Sequence, residues 1–351
     1  MTPEHIKLQK ILNDSLKEIV KNATIKDCSH PKKSECKLPI KSAHSLQKNG
    51  VLKNLEKTVK GNSFIYSHYA RKISDDGSFL DLDEIGKGEA STFFGFCDYH
   101  DTVLFEKIEN DANSIDIHND EHCFLNSYRS FSHSYHRKYE QLKLLTSKNS
   151  ETQVLLKKNY GLKYEEILKG VQLAIKDFEV PKKKLDNFLL EKKWDALEYL
   201  CYEFNHTIPI ACASSVTPSH FYDGDEFNLS YLSKEFYSDI FTTVLPLQNK
   251  SIVILSSFSD DQKGIKYLDQ IENIKNRLEL EKFLTFHILI NSENVFLSPY
   301  FYDRMSNNWK RKYCNLLDFN ADNSTPFFMF NKKFPINYFD KTVSVNYLKN
   351  K

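Results

Sequence analysis

Residues 96–101 read Phe96-Cys97-Asp98-Tyr99-His100-Asp101, and far upstream a lysine-rich stretch carries Cys28-Ser29-His30-Pro31 and then Cys36. Zinc takes thiolate and imidazole in a tetrahedron, and its ligands usually arrive as two short clusters distant in sequence. Cys97-x2-His100 makes a good second cluster, because two intervening residues let one turn present both side chains to an ion. Cys28-x7-Cys36 is a wider first cluster, for which His30 or His44 could stand in for either cysteine. The sequence therefore predicts a zinc-stabilised N-terminal module held by Cys28, Cys36, Cys97 and His100. Structural zinc contributes about 10–16 kcal/mol to folding in small metal domains. That is enough to order the polar segment 24–62, which has little core of its own.

Outward from this module, the apolar spacing predicts flanking helices. Thr2-Pro3-Glu4 is a helix start, and Leu8, Ile11, Leu12, Leu16, Ile19 and Val20 extend it over 3–21. Phe64–Tyr69 reads as a strand. An aromatic stripe of Phe124, Tyr128, Phe131, Tyr135, Tyr139 and Leu142 predicts a long core-facing helix over 122–145. Polar Ser147–Thr152 is the expected boundary between a first domain, 1–146, and a second, 153–351. In the second, 164–178 and 185–204 predict an α-hairpin split at Val180-Pro181. Residues 207–216, 242–247 and 251–258 are β-rich, the last two forming a hairpin, and helices are expected over 260–280 and 298–316. Segment 283–290 is apolar and fits either state. Strands grouped between helices, without regular alternation, indicate an α+β fold.

Bulk properties bound the function. The 351 residues carry 48 basic and 47 acidic side chains, so no global field favours nucleic acid or an anionic membrane. The first twenty residues lack the apolar run of a secretion signal, and no stretch is long enough to span a bilayer. A cytoplasmic location is expected. There, seven cysteines should be thiols or metal ligands.

The segments Cys28-x-His30-Pro31…Cys36, Ala43-His44-Ser45-Leu46-Gln47 and Ala90-Ser91-Thr92-Phe93…Gly95-Phe96-Cys97-x2-His100-Asp101 together resemble a pattern of uncharacterised bacterial proteins. More loosely, they are similar to zinc-containing HNH nucleases. That resemblance implies a structural Zn2+ on the four ligands, with His44 as the strand histidine that activates water. Asp101 takes the place of the ligand to a catalytic Mg2+ or Mn2+, and Asn49 or Asn54 could orient the base. Asp101 stands where the nuclease pattern has histidine, and no proline follows His44 at the usual offset.

Other candidates are less specific. His118-x3-His122-Cys123 has helical ligand spacing in acidic surroundings that suit a solvated loop. His220…Asp223-Gly224-Asp225-Glu226 reads as a turn sooner than a magnesium site. Asn291-Ser292-Glu293-Asn294 suits a loop at a strand end. Two functional readings follow. The first is a metal-dependent nuclease of DNA or RNA, in which Lys32, Lys33, Lys37, Lys41, Lys48, Lys53, Lys57 and Lys60 meet phosphates and the second domain senses a ligand or protein partner. The second is a non-catalytic interaction or regulatory protein with a purely structural zinc.

Overall fold

The computed structural model describes residues 22–111, 115–149, 152–154, 156–157, 161–228, 237–321, 330–340 and 345–349. The helix expected over 3–21 lies outside them. In chain order the strands are β1 (Ile40–His44), β2 (Lys57–Val59), β3 (Asn62–Ile73), β4 (Leu80–Gly86), β5 (Thr92–Cys97), β6 (Leu197–Phe204), β7 (Ile210–Val216), β8 (Ile240–Pro246), β9 (Ser251–Phe258), β10 (Val295–Leu297) and β11 (Val345–Lys349). The helices are α1 (Asp98–Glu109), α2 (Asp120–Leu145), α3 (Tyr164–Glu191), α4 (Gln262–Glu272), α5 (Arg277–Asn291), α6 (Pro299–Tyr302) and α7 (Asn307–Ala321), with short 3-10 turns between some of them. Helices and antiparallel strands in these groupings make the chain α+β.

Two compact units interleave along the chain. The first takes 1–43, 93–101 and 132–187; the second takes 44–92, 102–131 and 188–351. This grouping differs from the consecutive 1–146 and 153–351 expected from sequence. The physical reason is a non-local strand pairing within the second unit. Short β10 pairs antiparallel with β3 (Phe296 opposite Ser67) and with β7 (Val295 opposite Cys212). Strands from residues 57–86 therefore enter the same sheet as strands from 197–297.

That sheet has nine strands in the order β11-β6-β9-β8-β7-β10-β3-β2, with β4 also on β3. The β8–β9 hairpin is as the sequence predicts, with Pro246 opposite Ser251 across the Gln248-Asn249-Lys250 turn. Every residue of both strands is buried. Against them pack Tyr267, Leu268 and Ile271 of α4 and Phe283, Leu284 and Ile288 of α5. The first half of α2 meets the same strands through hydroxyls, Ser127 to Ser256 at 2.7 Å and Ser130 to Thr243 at 2.8 Å. A buried hydroxyl is expensive unless bonded, and these satisfy one another.

Three local expectations are corrected. Residues 197–204 form strand β6, not helix; their run is buried almost throughout, so the alternation that marks a half-exposed strand is missing. Helix α3 continues through Pro181. Val171, Ile175, Pro181, Leu185 and Leu189 are all buried along it, and that continuous packed stripe outweighs the roughly 3 kcal/mol a mid-helix proline costs. The helix expected over 260–280 is two helices, because Asn276 caps a new one by accepting a hydrogen bond from the Glu279 N–H at 3.0 Å.

Candidate metal centre

Strand β5 ends on Cys97 and α1 begins on the next residue, so the Cys97-x2-His100 spacing spans a strand-to-helix turn. The Asp98 N–H donates to the Pro39 carbonyl (3.0 Å), fixing where the helix starts. The His100 N–H donates to Cys97 Sγ at 3.4 Å, so the helix's first turn folds back on the thiol. Burial pushes the Cys97 thiol up, but that N–H and the neighbouring thiols together hold it below its ordinary value. A helix N-terminus favours the thiolate, which is the ligand form.

Cys28 and Cys36 arrive on the loop before β1. The Asp27 and Ser29 N–H groups donate to the carbonyls of Phe94 (3.2 Å) and Gly95 (2.6 Å), laying residues 27–29 along β5. Farther out, the Ile25 N–H donates to Glu140 (3.1 Å), and the ammonium groups of Lys143 and Lys182 donate to the carbonyls of Thr24 and Ser29 (both 2.9 Å). A 3-10 turn over Lys33–Glu35 then returns the chain to Cys36. Gly95 has to be glycine. A Cβ there would meet the Phe93 ring at 2.3 Å, and that ring is wedged edge-on against His133 and His136.

The four expected ligands converge. His100 Nδ1 lies 3.4 Å from Cys28 Sγ, 3.6 Å from Cys36 Sγ and 3.3 Å from Cys97 Sγ, and all four donor atoms fall within 4.8 Å of one another. A tetrahedral ion with bonds of about 2.3 Å to sulfur and 2.05 Å to nitrogen needs sulfur–nitrogen edges of about 3.5 Å. The observed edges match that value. The cluster can hold a metal ion, and its donor set is compatible with zinc. Burial lowers the His100 pKa, which favours the neutral imidazole a metal requires. With the other thiols beside it, the Cys36 thiol is pushed up to about 12, first by desolvation and then by its bonds to Cys28 and Cys97. Three crowded sulfurs without a cation resist ionising together.

His30 is not among the convergent donors. Its ring stacks on His100, centroids 3.8 Å apart and 13° from parallel, and its Nδ1 accepts the Lys32 N–H at 3.2 Å. Burial, then the neighbouring His100, hold its pKa down to about 4. It braces a ligand where the sequence reading offered it as a substitute for one.

His44 and Asp101 fall in different units. Asp101 is only 3% exposed and pairs with Lys41 Nζ at 3.1 Å; that ammonium also meets Asp98 at 2.8 Å. His44 ends β1, with Nδ1 3.0 Å from the Ala90 carbonyl, and burial lowers its pKa. Here the Ala-His-Ser-Leu and Ala-Ser-Thr segments meet. The Ser45 N–H donates to the Ser91 carbonyl (2.9 Å), and Ser91 Oγ takes the Leu46 N–H (3.3 Å). Ser91 holds φ at +59°, a conformation that favours glycine or asparagine. Asn294 donates to Ser45 Oγ at 2.8 Å, so its place at a strand end serves to anchor this loop. Asn54 donates to the Gly50 and Pro246 carbonyls (2.7 and 2.9 Å), a structural role.

Sequence reading missed the pairing of Lys41, which no spacing rule connects to Asp101, and the His30 stack. Several lysines of the basic segment meet carboxylates. Lys32 pairs with Glu35 (3.3 Å), Lys33 with Asp27 (2.6 Å), Lys41 with Asp98 and Asp101, and Lys57 with Asp303 (2.5 Å). Around His220–Glu226 the backbone closes a turn through Gly224 at φ +94°, and Asp223 is engaged by Gln270. His122 Nδ1 accepts the Asp116 N–H (3.1 Å) at the start of α2. Among the described residues no helix is long and apolar enough to cross a membrane. No protein-family model, curated protein or solved structure matches the chain, so the likeness to HNH nucleases rests on the quoted residues alone.

Proposed function

We propose that Cys28, Cys36, Cys97 and His100 hold a structural zinc ion, and that the protein acts by binding partners and not by chemistry at that ion. One observation supports this reading: four protein donors lie within 4.8 Å of one another, with sulfur–nitrogen edges of 3.3–3.6 Å that suit a tetrahedral ion. Structural zinc sites are closed in this way, whereas catalytic ones keep a position for water or substrate. Two further features support it. The carboxylate of Asp101 is engaged by Lys41, and half of the eight lysines in the basic segment are matched by carboxylates. The zinc would close the loop carrying Cys28 and Cys36 onto the β5–α1 turn. The test is metal analysis of purified protein together with a magnesium- or manganese-dependent cleavage assay on DNA and RNA. The expected result is one zinc per chain and no cleavage; cleavage that tracks added magnesium or manganese would overturn it.

A second reading, a metal-dependent nuclease, draws support from His44. A proton on Nδ1, donated to the Ala90 carbonyl, leaves Nε2 as the lone-pair nitrogen, the tautomer a general base needs. The lowered pKa keeps the ring neutral near pH 7. Asp101 would contribute to holding Mg2+ or Mn2+. In that case His44→Ala abolishes cleavage while zinc content and fold are unchanged.

A further inference from the structure

The donors of the metal centre differ sharply in access. Cys28, Cys97 and His100 are 2%, 0% and 3% exposed, and the His30 ring covers one side of His100. Cys36 is exposed. A small oxidant arriving from solvent therefore meets one ligand sulfur first, with two more sulfurs within 4.8 Å behind it. Zinc holds its cysteines as thiolates, the nucleophilic form. Thiolate character, exposure and an adjacent resolving cysteine are the three conditions for reaction with peroxide. Proximity alone does not meet them: Cys123 and Cys201 have sulfurs 3.9 Å apart, but each residue is only 1% exposed.

The segment that carries Cys36 depends on that sulfur for its order. From 29 to 42 no residue is buried. Its ends are fastened by backbone bonds, the Ser29 N–H to the Gly95 carbonyl (2.6 Å) and the Asp98 N–H to the Pro39 carbonyl (3.0 Å). Between those ends lie the His30–His100 stack, one 3-10 turn and the pairs Lys32–Glu35 and Lys33–Asp27. Exposed ion pairs of that kind contribute little. A bond from Cys36 to a metal ion would be the one strong tie in the middle of the segment.

We propose that the metal centre is a peroxide-responsive latch: hydrogen peroxide oxidises Cys36, a disulfide to Cys28 follows, and loss of zinc unfastens residues 30–38. This deepens the structural-zinc reading and rests on it. The Cys36 thiolate attacks one peroxide oxygen, the O–O bond breaks and hydroxide leaves, giving a sulfenic acid. The Cys28 thiolate then attacks the Cys36 sulfur, the S–O bond breaks and a second hydroxide leaves. Each sulfur gives up one electron, the peroxide takes both, and two protons from solvent turn the hydroxides into water. Cys28 is the resolving sulfur because it lies on the same loop as Cys36 and closes a short ring. Cys97 would close a ring that takes in β1 to β5, and its sulfur already accepts the His100 N–H at 3.4 Å. Cys97 and His100 then remain, two donors where a closed zinc site has four.

Full-length protein purified in reducing, zinc-supplemented buffer is first analysed for metal. It is then exposed to hydrogen peroxide at a dose that fully oxidises glutathione in the same buffer. Released zinc is read with a chromogenic chelator, and the cysteines by differential alkylation and peptide mass mapping. One zinc should leave per chain as two thiols are lost, with the pair mapped to Cys28 and Cys36. Dithiothreitol with added zinc should restore the starting state, and Cys123 and Cys201 should stay reduced throughout. Cys36→His replaces the exposed sulfur by another zinc ligand, so this variant should keep its zinc through the same exposure. If that variant binds no zinc, the mapping in the wild-type chain decides. Wild-type protein that holds no zinc at the outset overturns both this inference and the structural-zinc reading. Zinc-loaded protein that keeps its metal under peroxide, or loses it without a Cys28–Cys36 disulfide, overturns this inference alone. Zinc loss from Cys36→His at the wild-type rate does the same.

Discussion

Acid should destabilise the second unit in a pH range where its carboxylates are still ionised. His287 is fully buried, with Nδ1 2.8 Å from the Tyr267 hydroxyl and Nε2 2.8 Å from that of Thr242. His68 is buried with Nε2 2.7 Å from the Tyr313 hydroxyl, which in turn meets Tyr338 at 2.6 Å. Burial drives both pKa values down to about 3, with Arg71 adding to the effect on His68. The folded value is thus depressed below an unfolded value near 6.5. Above pH 6.5 both states are neutral and there is no penalty. Below it the unfolded chain takes up a proton that the folded protein refuses, so stability falls continuously towards pH 3. The slope is about 1.36 kcal/mol per pH unit for each histidine. At pH 5 that amounts to about 2 kcal/mol each, or about 4 kcal/mol for the pair, against a typical total of about 5–15 kcal/mol. Urea unfolding followed by circular dichroism at half-unit steps from pH 7.5 to 5 measures the slope directly. His287→Gln should lower that slope by about 1.4 kcal/mol per pH unit, and adding His68→Gln by the same again. The comparison uses slopes, so any constant cost of the substitutions cancels. Identical slopes in wild type and double variant would refute the reasoning.

Other expectations concern the first unit. Cys97→Ser or His100→Ala should abolish zinc binding and lower thermal stability sharply, read by metal analysis and calorimetry; a fully stable variant would show that the cluster has no structural role. Gly95→Ala should destabilise by about 1–3 kcal/mol, as overpacking of a tight site does, because its Cβ would collide with the Phe93 ring. A Tm equal to wild type would contradict this. His30→Ala should leave zinc stoichiometry at one but raise the rate of zinc loss to a chelator, since the ring that braces His100 is gone. Unchanged release kinetics would remove that role.

How much of this was readable beforehand differs by element. Cys28, Cys36, Cys97 and His100 were legible because metal chemistry restricts the donor types and one pair sits at turn spacing. The long helix α2 and the β8–β9 hairpin were legible because one-sided burial and a short polar turn leave local periodicity. Strand β6 was not, since burial on both faces erases alternation and leaves an apolar run that fits either state. The interleaving of the units was invisible for a different reason. It depends on three residues of β10 bridging β3 to β7, a pairing across more than two hundred residues with no local signature. Lys41 likewise reads as one more lysine in a basic stretch until the fold sets it beside Asp98 and Asp101.

The proposed metal ligands would also impose an order of events on a newborn chain. Cys36 and Cys97 are separated by 97 − 36 = 61 positions, and His100 comes later still. At about 5–20 residues per second, the first two thiols wait about 3–12 s after emerging before their partners exist. Closing that span without an ion costs about 3.6 kcal/mol of chain entropy by the logarithmic loop law. Meanwhile the intervening stretch supplies β2, β3 and β4, and β10, the strand that joins β3 to the rest of the sheet, is not yet made. The early thiols are therefore exposed to oxidation and to competing metals during synthesis. Yield in a cell should depend on zinc supply during translation more steeply than the stability of the finished protein depends on zinc afterwards.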